Sequence, residues 1–364
     1  MSNFLEHTMI ESGIKQRNIK IDTFNNVGFG ATSNITIDGD NNSYRVSNLT
    51  LKITLGALYT GATPSTGYVN WVDNIGHSII DTLDLKIGNV SIYNSFPYGL
   101  WLDIYNELND PHMNEWSLIG KNASTDALKK FETKKRIIYV PLHIVNEGVQ
   151  NSLPLTDSAD INIKIKLRSY ESVIIFSADH TKPSKPTIDM DLIYELVETK
   201  ERANNVKTCI EVISHFSYRN PSGVLQGLLD YPVKELVFVL QNSNRAQESS
   251  TPRINELVED VNGNDWLNYS GTSLSSELNT GDPFINITDV KINSNSYFNS
   301  KKNDALFYRQ VLPFIYHENV PKKHIYTIPL STLIDKKNTV NYGNYFNLSS
   351  GKNIQIIFDT LFTD

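Results

Sequence analysis

Residues 84–95 read DLKIGNVSIYNS, and residues 289–300 read DVKINSNSYFNS. The two stretches align without a gap at an offset of 205 residues, and six of the twelve positions are identical. Each opens with alternating apolar and polar residues, which places successive side chains on opposite faces of a β-strand. A segment with apolar residues at helical spacing follows each copy, at 97–108 and at 301–312. The chain therefore contains one strand–turn–strand–helix unit twice, which predicts a duplicated domain.

Alternation of period two also dominates the rest of the chain. It is clearest in DINIKIKLRS (160–169), where four apolar residues alternate with polar ones. Many short alternating strands with Gly, Asn and Pro in the turns are typical of antiparallel sandwiches and barrels. The long polar stretch 242–282 predicts an exposed loop. Further strands are predicted at 136–145, 189–197, 207–216, 235–241, 285–292 and 325–330.

Length and composition agree with two globular domains. The chain has 364 residues, of which 40% are hydrophobic and 20% charged, and domains average roughly 150 residues. The charged, turn-prone segment 198–207 lies between two apolar strands. We therefore predict domains at 25–203 and 204–364. Residues 1–24, with Leu5 and Met9 at helical spacing, are predicted to form an N-terminal arm, with a frayed terminus as the alternative.

Charge and cysteine content argue against several classes of protein. The net charge of −7 disfavours general nucleic-acid binding, which needs clustered Lys and Arg. The single cysteine, Cys209, excludes an intrachain disulfide. The N-terminus lacks the pattern of a signal peptide, and no stretch approaches the ~20 apolar residues of a membrane span. These features predict a protein that folds inside a cell.

One histidine lies among carboxylates. His77 is close in sequence to Asp73, Asp81 and Asp84, which admits a metal site. No second histidine lies near it, so a hydrogen-bonded structural histidine with turn-forming aspartates is the favoured interpretation.

Other candidate motifs are weaker still. His317 and His324 flank a proline at a spacing that matches no familiar metal site. Gly28 and Gly30 lack the third glycine of a dinucleotide fingerprint, and neither a phosphate-binding loop nor a nucleophile elbow occurs. The sequence predicts no catalytic residue, no metal and no cofactor.

Six segments, taken in order, resemble a known family. They are WVDNIGHSIIDTLDLKIGNVSI (71–92), YGLWLDIYNEL (98–108), IIYVPLHI (137–144), NSLPLTDSADINIKIKLRS (151–169), DMDLIYELVETKERANN (189–205) and FYRQVLPFIYHENVPKKHIYTIPLSTL (307–333). Together they are similar to the major capsid proteins of nucleocytoplasmic large DNA viruses and of their virophage and Polinton-like relatives, the double jelly-roll lineage. The chain is short for that lineage, which implies small surface loops. Its segment 338–350 matches the family's C-terminal pattern only loosely.

The resemblance implies an all-β fold of two tandem eight-stranded antiparallel jelly rolls, with a few short helices in loops. It also marks twelve structural family-motif residues: Trp71, Ile75, Gly76, His77, Gly88, Pro141, Pro154, Glu201, Arg202, Pro313, His317 and Pro321.

The function implied by the resemblance is structural and not enzymatic. Three chains would form a pseudo-hexameric homotrimeric capsomer, and capsomers would tile an icosahedral virion shell made and assembled in the host cytoplasm. The implied partners are other copies of the chain, minor capsid and penton proteins, and an internal membrane reached through the N-terminal arm. Sequence-specific nucleic-acid binding is not expected. The alternatives are a carbohydrate-binding jelly-roll protein, and a minor capsid or spike component of the same virus class.

Overall fold

The computed structural model divides the chain into two compact units. The first comprises Met1–Leu102, Glu115–Asn122 and Asp126–Ser214, and the second comprises Asp103–Asn114, Ala123–Thr125 and His215–Asp364. The predicted boundary at 203/204 lies outside the described residues. Those described are 14–39, 44–64, 66–110, 116–121, 125–128, 130–144, 146–147, 152–155, 160–199, 209–210, 213–218, 223–229, 232–250, 263–269, 285–297, 305–330, 346–347 and 352–360.

The first unit consists mainly of antiparallel strands. Its larger sheet has the order β1-β12-β3-β7, with β9 also pairing with β3, and its second sheet has the order β2-β10-β5-β6. Two further pairs are β11 with β4 and β13 with β8. The strands are β1 (Ile14–Thr23), β2 (Thr32–Ile37), β3 (Tyr44–Leu55), β4 (Val69–Trp71), β5 (Ile80–Ile87), β6 (Val90–Phe96), β7 (Arg136–Pro141), β8 (Asn146–Glu147), β9 (Ser152–Leu155), β10 (Ile161–Leu167), β11 (Ile174–Phe176), β12 (Ile188–Thr199) and β13 (Cys209–Ile210).

Alternation in the sequence becomes a buried face in the structure. In β10, the residues Ile161, Ile163, Ile165 and Leu167 are fully buried, while the intervening polar residues face outward. Each buried aliphatic side chain of this kind contributes about 1.5–3 kcal/mol relative to exposure. The larger sheet buries the alternate residues of β3 in the same way.

The second unit contains strands β14 to β21. Its main sheet has the order β14-β21-β17-β18, and two pairs, β15 with β20 and β16 with β19, complete the described strands. A core of aliphatic and aromatic side chains from β17, β19 and β21 lies beneath them. The strands are β14 (Val224–Leu229), β15 (Pro232–Val233), β16 (Glu235–Val239), β17 (Ile285–Ile292), β18 (Asn295–Ser296), β19 (Ile325–Pro329), β20 (Phe346–Asn347) and β21 (Lys352–Thr360).

The helices are few and short. They are α1 (Ile75–Ser78), α2 (Tyr98–Asn109), α3 (Trp116–Ile119), α4 (Thr125–Leu128), a 3₁₀ turn (Glu171–Val173), a π-helical turn (Phe307–Val311) and α5 (Leu312–Tyr316). The π-helical turn leads directly into α5. Among the described residues, no helix has both the length and the apolar character needed to cross a bilayer. The predicted all-β architecture with a few short helices is confirmed.

Two expectations differ from the structure. Residues 14–23 of the predicted arm form β1, which pairs with β12 from Ile14 opposite Thr199 to Thr23 opposite Asp191. This part of the arm belongs to a sheet because its backbone groups are satisfied there, and residues 1–13 lie outside the described part. Of the strand predicted at 207–216, residues 209–210 form β13, whereas the described residues 213–216 form no ladder. The described parts of the 242–282 loop, 242–250 and 263–269, contain no strand.

Candidate functional site

The repeated stretch 84–95 and the described part of the second stretch, 289–297, both form strand–turn–strand hairpins. β5 and β6 are joined by a two-residue turn in which Gly88 has φ 55°, and β17 and β18 by a turn in which Asn293 and Ser294 have φ 50° and 68°. Positive φ at such positions matches the twist of the flanking strands. A helix follows both hairpins, α2 in one case and residues 305–316 in the other. The predicted duplication of strand, turn, strand and helix is confirmed.

Four family-motif residues of the first repeat, Trp71 and Ile75 to His77, lie in its core. Trp71 ends β4, is fully buried, and stacks on Phe29 at a centroid distance of 5.9 Å. Ile75, Gly76 and His77 form most of α1, and all three are buried. A Cβ on Gly76 would lie 2.7 Å from the carbonyl oxygen of residue 119, so α1 and α3 can approach this closely only with glycine there.

Two of the three carboxylates near His77 in sequence, Asp81 and Asp84, bind other groups. Asn74 Nδ2 lies 3.1 Å from His77 Nδ1. Asp81 instead binds Arg168 Nη1 at 3.0 Å and Lys166 Nζ at 2.8 Å. Asp84 accepts a hydrogen bond from the backbone N–H of residue 95. The part of the chain that the structure describes holds no group of three His, Cys, Asp or Glu side chains that could bind a metal.

Two prolines of the motif set lie in strands of the larger sheet. Pro141 is the last residue of β7, and Pro154 pairs with Arg45 from within β9. Among the strands that the structure describes, both pair with β3 alone in the larger sheet, where a missing N–H is tolerated. Glu201 and Arg202 lie outside the described residues.

In the second repeat, the motif residues surround the end of α5. Pro313 lies in the first turn of α5, directly after the π-helical turn. His317 follows the helix, and its Nε2 lies 2.8 Å from the Glu235 carboxylate at the start of β16. Pro321 is buried in the segment that leads into β19. His317 is therefore a structural link between the helix and a strand, and it belongs to no group of three His, Cys, Asp or Glu side chains that could bind a metal among the described residues.

A buried ion pair forms the polar centre of the second unit. Asp103, in α2, is 2% exposed, and Lys323, before β19, is 3% exposed. Asp103 Oδ2 accepts hydrogen bonds from Lys323 Nζ at 2.6 Å and from the Tyr269 hydroxyl at 2.7 Å. Burial, and secondly the Asp103 charge, raise the pKa of Tyr269 well above its ordinary value, so the phenol stays protonated and donates.

The next turn of α2 is fastened to the same segment. Glu107 Oε2 accepts a hydrogen bond from the Lys322 backbone N–H at 3.1 Å. The Asn319 side-chain amide donates to the Glu107 carbonyl at 2.9 Å, and its backbone N–H donates to the Leu108 carbonyl at 2.9 Å. These bonds explain why residues 103–114 group with the second unit. Sequence reasoning missed this cluster because its members lie up to 220 positions apart.

Several large apolar side chains are exposed. One group lies on the helical segment 305–316, and the others lie on β1, β6, β7 and single surface positions. Scattered apolar residues are ordinary on a surface, whereas a contiguous group on one helix face marks an interaction site. The exposed residues are Ile19, Ile21, Val90, Leu118, Ile137, Phe216, Tyr218, Val224, Leu306, Val311, Phe314 and Ile315.

Comparisons with known proteins agree on one family. The family model described as "Major capsid protein N-terminus" matches residues 12–211. Capsid protein 1 of Acanthamoeba polyphaga mimivirus is 24% identical over 281 residues, covering 71% of this chain. The chain spans only 43% of the length of that curated relative.

Solved structures of capsid proteins share the fold. The PBCV-1 virus capsid superimposes with a TM-score of 0.63 at 14% identity, covering 96% of this chain and 86% of that one. The Faustovirus major capsid protein gives a TM-score of 0.61 at 11% identity, covering 96% and 88%. At such identities the likeness establishes the fold, and it confirms the predicted jelly-roll architecture.

Proposed function

The chain belongs to the major capsid protein family, and from that membership we propose that it is the principal building block of a large DNA virus shell. Three copies associate into a pseudo-hexameric homotrimeric capsomer, and capsomers tile an icosahedral virion. Its relatives are capsid proteins, which are structural proteins and not enzymes. The function is then carried by interfaces between copies, and no reaction is required.

The observation that carries this proposal is the tandem duplication. One chain presents two similar hairpin–helix units at an offset of 205 residues. Three such chains arranged around an axis offer six similar edges, which is the geometry that a near-hexagonal lattice needs. Closed rings of this kind use a heterologous contact that repeats from copy to copy.

Other partners are proposed on the same basis. Minor capsid and penton proteins would contact the capsomer, and the residues before β1 would reach an internal membrane. The assembled protein is located in the virion, after assembly in the host cytoplasm.

The test is the native mass of the purified chain at low micromolar concentration. One copy has a mass of 41.2 kDa. We expect a complex of three times that mass that persists on dilution, because obligate interfaces bury upward of ~2,000 Å². A species that remains at 41.2 kDa at every concentration, both alone and after coexpression with a folding partner, would refute the capsomer proposal.

A further inference from the structure

The helical segment 305–316 is inverted relative to an ordinary surface helix. Its sequence is ALFYRQVLPFIY, in which Arg309 is the single charged residue. A surface helix places its charges outward and its apolar residues against the core. Here Arg309 is 8% exposed, whereas Leu306, Val311 and Ile315 are 51%, 44% and 50% exposed. The charge therefore lies inside, and apolar side chains lie outside.

The fold supplies Arg309 with no counter-charge among the described residues. Its Nε is buried and makes no hydrogen bond to any of them. Burial lowers the pKa of Arg309, and the described group that raises it is Tyr326. The phenol of a tyrosine is neutral near pH 7, so Tyr326 does not balance the guanidinium charge.

Arginine cannot avoid the cost of burial by losing its proton. The guanidinium stays protonated in proteins, whereas a buried lysine readily becomes neutral, and a buried cation with no anion beside it is strongly unfavourable. Two other poorly solvated cations of the chain are balanced within the fold. Lys323 has Asp103 at 2.6 Å, and Arg168, whose side chain is 15% exposed, has Asp81 at 3.0 Å. An anion from outside the fold would complete the environment of Arg309 in the same way.

The backbone around Arg309 is also unusual. Arg309 lies in the π-helical turn Phe307–Val311, which leads directly into α5. Turns of this kind are rare and occur frequently at functional sites. This feature of the backbone is independent of the burial of the side chain, and it also marks the turn as a binding element.

We propose that Arg309 binds a carboxylate at a contact between two copies of this chain. A side-chain carboxylate of one copy forms an ion pair with the Arg309 guanidinium of the next. The exposed apolar residues of the same helical segment are covered by that copy. This inference rests on the proposed self-assembly and names the residue at the centre of one of its interfaces.

Charge and apolar character favour a second copy over a polyanion. Nucleic acids and anionic membrane surfaces are held by clustered Lys and Arg, and the segment 305–316 has one arginine and no lysine. A carboxylate suits one guanidinium, because the planar fork donates two parallel hydrogen bonds to it. Each copy carries 40 Asp and Glu against 33 Lys and Arg, so it has more carboxylates than cations. An arginine beside apolar residues that exclude water is typical of the energetic centre of a protein–protein interface.

Replacing Arg309 by methionine tests the contact through two different readouts. Methionine keeps an apolar stem and removes the charge. We expect self-association in analytical sedimentation to weaken about tenfold or more, because the interface loses one side of a buried ion pair. We expect the urea midpoint of the dissociated chain, followed by tryptophan fluorescence at nanomolar concentration, to stay the same or rise. The isolated fold loses a cation that it does not balance, whereas removal of a residue needed by the fold would lower the midpoint.

Three further variants control for charge and for the loss of an arginine. Lys164→Met removes one positive charge at an exposed position of β10 and should change neither quantity. Arg168→Met removes an arginine that the fold itself pairs with Asp81, so it should lower the urea midpoint. Arg309→Lys keeps the charge but loses the planar fork, and it should weaken association less than Arg309→Met does.

The outcomes separate this inference from the proposed function. Weaker association of Arg309→Met with an undiminished midpoint supports the carboxylate contact. A complex that survives Arg309→Met unchanged, or a midpoint that falls as far as that of Arg168→Met, overturns the inference and leaves the capsomer intact. Loss of binding to single-stranded DNA or to phosphatidylserine vesicles, with self-association unchanged, would assign Arg309 to another anion and also overturns it. An unsubstituted chain that forms no complex at any concentration overturns both.

Discussion

Replacing Lys323 by methionine removes the charged partner of the Asp103 carboxylate. Methionine keeps the length and the apolar stem of lysine but carries no ammonium. Asp103 is 2% exposed, and Lys323 Nζ lies 2.6 Å from its Oδ2. Removing one side of a buried ion pair leaves an uncompensated charge in a poorly solvated site and costs about 3–5 kcal/mol. We expect the free energy of unfolding of the second unit to fall by that amount.

The assay is native-state hydrogen exchange read by mass spectrometry, with urea unfolding followed by circular dichroism. The loss of protection should centre on the peptides that contain residues 103–110 and 319–324. Lys52→Met is the matched control, because Lys52 Nζ lies 2.9 Å from Asp191 Oδ2 but the two side chains are 30% and 21% exposed. Breaking that pair should cost much less than breaking the buried one, because both side chains are partly solvated.

A double variant separates the charge from the packing. Asp103→Leu combined with Lys323→Met removes both charges at once, so the loss should be smaller than for Lys323→Met alone. The reasoning is refuted if Lys323→Met costs no more than Lys52→Met. That result would mean that the Asp103 carboxylate is as well solvated without the lysine as with it.

Gly76→Ala should lower the melting temperature and cost about 1–3 kcal/mol, because the new methyl group would meet the α3 backbone at 2.7 Å. Gly28→Ala is the control and should be nearly neutral, since its Cβ would make only a 3.5 Å contact. Equal melting temperatures for the two variants would contradict this. Ser294→Gly should stabilise the second hairpin by up to about 1 kcal/mol, since Ser294 has φ 68°; a fall in the urea midpoint would count against the turn geometry. Lys52 lowers the pKa of Asp191. The ionised carboxylate therefore stabilises the fold fully above the ordinary aspartate pKa near 4. This stabilisation is lost as the pH falls through the lowered pKa. The free energy of unfolding of Asp191→Asn should therefore lie about 0.2–1 kcal/mol below that of the unsubstituted chain at pH 7. The two values should converge in acid. A difference that does not change with pH would show that ionisation of Asp191 is not its cause.

Local sequence patterns predicted the strands because sheet burial has period two. The isoleucines of 161–167 alternate with polar residues, and the structure buries each of them. The two hairpins were predictable for the same reason, together with a turn that Gly88 and Asn293 can adopt. β1 does not show this burial of alternating apolar residues, because its Ile19 and Ile21 face outward and are exposed. Pairing with β12, 168 or more residues away, places them in a sheet, and the sequence of β1 carries no mark of that partner.

The polar centre of the second unit could not be predicted. Asp103 occupies a helix that has both apolar and polar positions, and a polar residue there is expected to face water. Its burial depends on Lys323 and Tyr269, which reach it only through the tertiary fold. The strand predicted at 207–216 is only partly confirmed for a related reason: its apolar residues suit a strand, but a ladder forms only where a partner strand is available, and the described residues 213–216 form no ladder.

The pairing of β1 with β12 affects how the chain is made. Ile14 lies opposite Thr199, so the ribosome must add a further 185 residues after Ile14 before β1 has its partner. At roughly 5–20 residues per second, the wait is about 10–40 s. During that time β3 also lacks β12, its neighbour along most of its length, and unpaired edges of this kind recruit other nascent chains. On a polysome, many copies of this protein emerge side by side, and their incomplete sheets risk associating with one another. A holdase chaperone that acts before residue 199 is synthesised would therefore raise the yield of folded protein more than one added after release.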